Sequence, residues 1–170
     1  FFAAVACKSP NAGGKSRNPK SRKSIFTSPD RRTTTELARW VKEPQRFKWA
    51  AVNDIYYGYY TSHADDIKIL SEVMSVIHSG VCMGQIFKGK LKPDHSLATF
   101  IDLNINEINT VEVDLSTALE FLRRGDIGVT ADMAEGINLV RFEGLPLGWI
   151  KRVGNRSNNL YPNSLRILNF

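Results

Sequence analysis

The stretch KSPNAGGKSRNPKSRKSIFTSPDRR, residues 8–32, constrains the possible folds more than any other part of the chain. It is dense in Lys, Arg, Ser, Pro and Gly, and Ile25 and Phe26 are nearly its only apolar anchors. Such a composition cannot bury enough surface to offset the entropy of ordering it. A core must therefore be built from about Thr33 onward. Residues 9–46 read as a flexible basic linker that ends in a short docking helix.

Charge follows the same division. Residues 1–48 hold twelve Lys or Arg against Asp30, Glu36 and Glu43, and the remainder holds eleven bases against fourteen acids. The formal net charge of +6 is thus concentrated in the N-terminal arm. A basic arm attracts phosphates without specificity, and a solvated tether has the same composition. With 170 residues, 42% of them hydrophobic, the chain suits one ordinary domain or two small ones. It has no run of 18 apolar residues, so no membrane partner is expected. FFAAVACK opens without methionine and lacks the flank and cleavage site of a signal peptide, so the chain is expected to be part of a longer one. Cys7 and Cys82 stand far apart without CxxC spacing, which argues against a disulfide framework or a zinc site and for a reducing, cytoplasmic location. The Asn155-Arg156-Ser157 sequon is then chance.

Several local motifs dissolve on inspection. GGKS at 13–16 resembles the end of a phosphate-binding loop, but Ser9 stands where the first glycine belongs and Pro19 forbids the helix that should follow. His63, His78 and His95 show no metal-ligand or acid–base spacing and read as capping or surface residues. Tyr56, Tyr57, Tyr59 and Tyr60 could stack bases, yet alternate residues of a half-buried strand do the same packing job, and the core reading is favoured. Arg124-Gly125-Asp126 is better read as a helix C-cap than as an adhesion motif.

The first structured unit, residues 47–107, reads as a small α+β domain. Before it, Thr33 and Glu36 form a capping box for a helix carrying Leu37, Trp40 and Val41 that Pro44 stops. DIYYGYY (54–60) predicts a strand with a close backbone approach at Gly58. Ser62 is expected to cap a helix with Ile67, Leu70, Val73, Met74 and Ile77 on one face, ending at Gly80. VCMGQIF (81–87) is a strand, and KGKLKPDHSLATF turns at Pro93-Asp94 into a short helical segment with Leu97, Ala98 and Phe100.

A second unit spans 110–170. VEV (111–113) reads as a strand, and Asp114 or Ser116 caps the helix STALEFLRR, which Gly125 ends with Arg123 and Arg124 against the helix dipole. EGINLVRF and GLPLGWIK are extended stretches joined at Glu143-Gly144, and LRILNF supplies a last strand. Strand, helix and three more strands suggest a small half-open barrel. Within GLPLGWIK, Leu145, Leu147 and Trp149 alternate onto one face and Pro146 confines the strand to an edge.

The following KRVGNRSNNLYP, with its bases, amides, one glycine and one aromatic, suits a loop that meets phosphates with Lys151, Arg152 and Arg156 and bases with Asn155, Asn158 or Tyr161. Asn159 and Arg166 complete this RNA-binding set. A solvated loop has a similar composition, so composition leaves the two readings balanced.

Residues Gly136 to Arg166, G-x-x-x-V-R-F-E-G-L-P-L-G-W-I-K-R-V-G-N-R-x-x-N-x-Y-P-x-x-L-R, resemble the C-terminal PUA-like domain of bacterial RsmF-type ribosomal RNA methyltransferases of the Nol/Nop/Sun family, and TALEFLRRGDI resembles that domain's helix. More loosely, residues 47–105 are similar to the family's first C-terminal domain, and FFAAVACK, residues 1–8, to the last strand of its catalytic core. The resemblance implies an α+β fold that ends in a PUA-like half-open β-barrel, ribosomal RNA as partner, and an intramolecular contact with the methyltransferase core. Those enzymes use one cysteine thiolate to attack cytosine and a second to assist release, in Pro-Cys and Thr-Cys contexts. Cys7 lies between Ala6 and Lys8 and Cys82 between Val81 and Met83, so neither matches. There is no glycine-rich loop with a ribose-binding acid either. The segment is therefore expected to be non-catalytic and to hold no cofactor, S-adenosylmethionine belonging to the presumed parent core. Two alternatives stay open: a PUA-type module of another RNA-modifying enzyme, such as a pseudouridine synthase, or a protein-interaction module using the Trp149 edge and the tyrosine-rich strand.

Overall fold

The computed structural model describes residues 5–6, 27–73, 75–76 and 79–168. Most of the linker, with GGKS, lies outside these residues, as do Cys7, Met74, Ile77 and His78. In chain order the elements are β1 (Val5–Ala6), α1 (Arg31–Ala38), β2 (Phe47–Val52), β3 (Ile55–Tyr60), α2 (Ala64–Val73), β4 (Ser75–Val76), β5 (Val81–Phe87), β6 (Lys90–Pro93), α3 (His95–Ala98), β7 (Thr110–Glu112), α4 (Leu115–Leu122), β8 (Gly136–Phe142), β9 (Leu145–Val153) and β10 (Arg156–Asn159). The architecture is α+β. Strands β2-β3-β5-β6 form one antiparallel sheet, β10-β9-β8-β7 form a second, and β1 pairs with β4 alone.

The first helix starts earlier than the capping box predicts. Asp30 is the N-cap, its carboxylate accepting the Thr33 N–H at 3.0 Å, which lowers its pKa through those hydrogen bonds. Glu36 is released from capping. It accepts the Leu91 N–H of β6 at 3.0 Å and so ties α1 to the first sheet. Leu37 and Val41 are buried as expected, although α1 ends at Ala38, well before Pro44.

Strand β2, FKWAAV, carries no alternation that the sequence reading recognised. Its register sets Trp49 opposite Gly58, and a Cβ on Gly58 would lie 2.8 Å from the Trp49 ring. The expected close approach at Gly58 is therefore the indole. Gly80, expected to end a helix, instead runs against the Gly58 carbonyl. Helix α2 is shorter than predicted at both ends: residues 61–63 form a 3₁₀ turn without a Ser62 side-chain cap, and residues 75–76 leave the helix to pair with Val5–Ala6. Ile69 and Leu70 of α2 lie exposed, and Ile67 is half-buried. Pairing β4 with a distant segment overrides local propensity there.

Asp94 caps α3, and Leu97 and Ala98 are buried beneath it, as predicted. In the C-terminal unit Asp114 is the N-cap of α4, accepting the Thr117 N–H at 2.8 Å. The helix stops through Arg124, which takes the left-handed conformation at φ 65°, while Gly125 donates back to Glu120. The expected glycine thus sits one residue past the left-handed position. Among its described residues, 165–168, LRILNF does not form the predicted last strand. Residues Asn163–Leu165 make a 3₁₀ turn, and the Ile167 N–H donates to the carbonyl of Leu122 at the open end of α4.

Strands β8 and β9 form a hairpin through Glu143 and Gly144, both at positive φ, as the sequence implied. A bulge between Val140 and Arg141 breaks the alternation expected for β9. Trp149 and Leu139 face the core shared with the first sheet, whereas Leu147, Val140 and Ile150 face α4, and Leu145 is exposed. Nor is β9 an edge strand: β8 and β10 flank it, and Pro146 lies in the half that β10 does not reach. The sheet is open rather than closed, with α4 on one face and α1, α3 and the first sheet packed against the other. Asn138, fully buried in β8, is satisfied by the Ala134 N–H and by the carbonyls of Ala134 and Gly136.

Candidate nucleic-acid interface

The segment KRVGNRSNNLYP is a β-hairpin rather than a loop. Its register pairs Lys151 with Asn158, Arg152 with Ser157 and Val153 with Arg156, across a turn at Gly154-Asn155. Side chains alternate between the faces of a strand, so Lys151, Arg156 and Asn158 share one face. All three are exposed, as is Asn155 at the turn. Arg166 is exposed too, but on the C-terminal segment after the 3₁₀ turn rather than on the hairpin.

The opposite face of the hairpin is engaged with the protein itself. Arg152 donates to the carbonyls of Gly154 and Met133 and lies 3.9 Å from Glu135. Met133 is buried, and its carbonyl obtains a partner from this guanidinium. Asn159 donates to the carbonyls of Phe121 and Gly125 and accepts the Tyr161 N–H at 2.9 Å, closing the C-terminal end of α4. Tyr161 stands edge-on to His95 at 5.0 Å and to Phe121 at 5.6 Å, wedged between the two units. The eight residues grouped by sequence therefore divide. Lys151, Asn155, Arg156, Asn158 and Arg166 face solvent, while the polar groups of Arg152 and Asn159 and the ring of Tyr161 are occupied within the fold.

Lys151 also reaches a groove of about 1360 Å³ between the two sheets. The groove is lined from the C-terminal unit by Lys151, Ile137 and Leu160, and from the first unit by Trp40, Tyr56, Phe87 and the lysines of the β5–β6 hairpin. Sequence reading passed over those lysines, although K-x-K-L-K alternates in KGKLKP.

Among the described residues the other titratable groups do not assemble a reactive centre. Burial raises the Cys82 thiol to about 11, with Asp94 adding to the shift, so it is not a thiolate at neutral pH. Burial lowers the pKa of His95, opposed by Asp94. His63 is exposed. Tyr57 is buried and Tyr56 and Tyr60 pack against the core, in keeping with the structural reading of the tyrosines. Trp149 is only 1% exposed and cannot form an edge for a protein partner. Among the described residues no cluster of three or more His, Cys, Asp or Glu is arranged for a metal, and no helix is long and apolar enough to cross a membrane.

Comparison with known proteins gives one family match. No curated protein matches the chain. Residues 108–167 match the family described as the methyltransferase RsmF PUA domain, a span that holds β7, α4, β8, β9, β10 and the C-terminal turn. The C-terminal unit is therefore a PUA domain of the RsmF methyltransferase type.

Proposed function

We propose that this chain is a non-catalytic, RNA-engaging region of a cytoplasmic S-adenosylmethionine-dependent ribosomal RNA cytosine-5 methyltransferase, which orients structured RNA for a catalytic core lying elsewhere and contacts that core. PUA domains bind RNA, and the match over 108–167 brings that partner class to the C-terminal unit. The observation that carries the reading is the register of β9 and β10, which holds Lys151, Arg156 and Asn158 on one exposed face. Cations on a paired strand meet phosphates without the cost of ordering their backbone. Amide side chains beside them suit base edges or 2′-hydroxyls. Cofactor and nucleophile belong to the proposed core.

Affinity for a ribosomal RNA fragment, measured at two salt concentrations, tests the reading. Changing Lys151 and Arg156 to Gln should weaken binding more than changing Lys20 and Lys23 of the linker, although each pair removes the same charge. Each lost phosphate contact should make the salt dependence shallower by roughly 0.7–0.9 log units per log unit of salt. Equal losses from the two pairs would mean that only net charge matters.

A further inference from the structure

We propose that the β5–β6 hairpin, outside the family-matched segment, is a second RNA-binding element in which Lys88, Lys90 and Lys92 hold the phosphates of a single-stranded RNA segment, sharing one groove with Lys151. This rests on the reading that the β9–β10 hairpin binds RNA, and extends it to a part of the chain outside residues 108–167.

Strand geometry presets the lysines. Along β6, Leu91 and Pro93 are buried while Lys90 and Lys92 between them are exposed. Two residues of strand span roughly 6.6–6.8 Å, so the backbone fixes the spacing of the points from which these two side chains leave the sheet. Lys88 lies in the turn at φ 50°, with its ammonium 5.5 Å from the centre of the Phe87 ring. Arg32 of α1 reaches the same turn, since a Cβ on Gly89 would sit 2.9 Å from its guanidinium.

Four cations therefore gather at one hairpin. Among the described residues none of them forms an ion pair with a carboxylate. Mutual repulsion makes such a cluster unfavourable until an anion enters it. Four acids, Glu36, Asp54, Glu107 and Glu135, also line the groove, and two of them are already engaged: Glu36 with Arg39 and the Leu91 N–H, and Glu135 with Arg152 and the Gly154 N–H. Lysines on an edge strand also guard against sheet-to-sheet pairing. Guarding does not explain why Phe87, beside them, stays 69% exposed.

Size and chemistry identify the occupant. At about 1360 Å³ the groove exceeds the roughly 300–1,000 Å³ of small-molecule pockets, and it opens to solvent along both units. A polyanion fits it. An exposed aromatic flanked by cations is the pairing that single strands use, bases stacking on the ring while phosphates meet the charges. In an A-form duplex the bases are already stacked on one another and cannot use it.

Fluorescence anisotropy on the full chain, with an unstructured RNA oligonucleotide and with an RNA duplex, tests the proposal, each variant being checked by thermal melt. Changing Lys88, Lys90 and Lys92 to Gln should weaken single-strand binding at least tenfold and make the salt slope shallower by about two. Phe87→Ala should weaken it about fivefold or more while leaving the salt slope unchanged. If the triple variant binds like the wild type while Lys151→Gln with Arg156→Gln is impaired, this inference falls and the PUA reading stands. If neither set matters, both fall. Should the triple variant lose no more than Lys15, Lys20 and Lys23 changed to Gln, the hairpin contributes net charge only and the proposal is overturned. A loss confined to duplex RNA, or an inert Phe87→Ala, overturns the single-strand assignment.

Discussion

The indole Nε1 of Trp149, on β9, donates a 2.8 Å hydrogen bond to the carbonyl of Asp94, the residue that caps α3. One side chain of the PUA unit thereby adds a second donor to a main-chain carbonyl of the first unit, which also accepts the Leu97 N–H. Trp40 of the docking helix region meets the same indole edge-on at 5.6 Å.

Removing that link should destabilise both sheets together. Trp149→Phe keeps much of the buried apolar surface and removes one of the two hydrogen bonds that the Asp94 carbonyl accepts, the Leu97 N–H keeping the other, for a loss of about 0.5–1.5 kcal/mol. Trp149→Ala adds a cavity and should cost about 3–5 kcal/mol. Urea unfolding followed by far-UV and near-UV circular dichroism should show one coincident transition in each variant. Two separate transitions in the wild type would mean that the shared core does not couple the units.

Glu36 offers a second test of how the first unit is joined. Its carboxylate accepts the Leu91 N–H, so Glu36→Ala strands a half-buried donor and should cost about 1–2 kcal/mol. Glu36→Gln retains an acceptor and should lose less. Had the carboxylate been part of a capping box, hydrogen exchange would quicken at the start of α1. The expectation instead is faster exchange at Leu91.

Arg152 and Asn159 should behave as structural residues even though they lie on the hairpin proposed to bind RNA. Arg152→Gln removes charge-assisted bonds to two carbonyls and should cost about 1.5–3 kcal/mol. Asn159→Ala leaves the Phe121 and Gly125 carbonyls without that partner, at about 1–3 kcal/mol. RNA affinity, measured well below each melting temperature, should change less for Asn159→Ala than for the Lys151 and Arg156 pair. The reverse ranking would return Asn159 to the RNA-contacting set.

Stability should decline in mild acid through His95. Its pKa is lowered by burial, so the unfolded chain takes up a proton near 6.5 while the folded chain resists until lower pH. Unfolding binds protons in that interval, and stability present above about 6.5 is lost as pH falls towards the folded value. His95→Leu removes the titration and tolerates the edge-on contact with Tyr161. Thermal melts from about pH 7.5 to about 5.5 should fall more steeply for the wild type than for the variant. Parallel curves would assign the acid sensitivity elsewhere.

Much of the C-terminal unit was legible before its structure. Asp114 capping α4, the Glu143-Gly144 turn and the apolar stretches on either side of it are local choices, and local chemistry specifies them. Burial of Leu37, Leu97 and Ala98 follows from periodicity in the same way. Tertiary structure decided the rest. The bulge at Val140/Arg141 sends Leu147 and Trp149 to opposite faces, because one extra residue inverts every side chain beyond it. Pairing of residues 75–76 with 5–6 ends α2 early, a long-range contact that no window of sequence contains. For the residues of the β9–β10 hairpin the division is similar. Composition marks a basic, amide-rich segment, but only the hairpin register separates Lys151, Arg156 and Asn158, which face solvent, from Arg152 and Asn159, whose donors serve carbonyls far along the chain. Likewise the lysines of KGKLKP and Lys151 are more than fifty residues apart in sequence, and packing of the two sheets through Trp149 brings them to one groove.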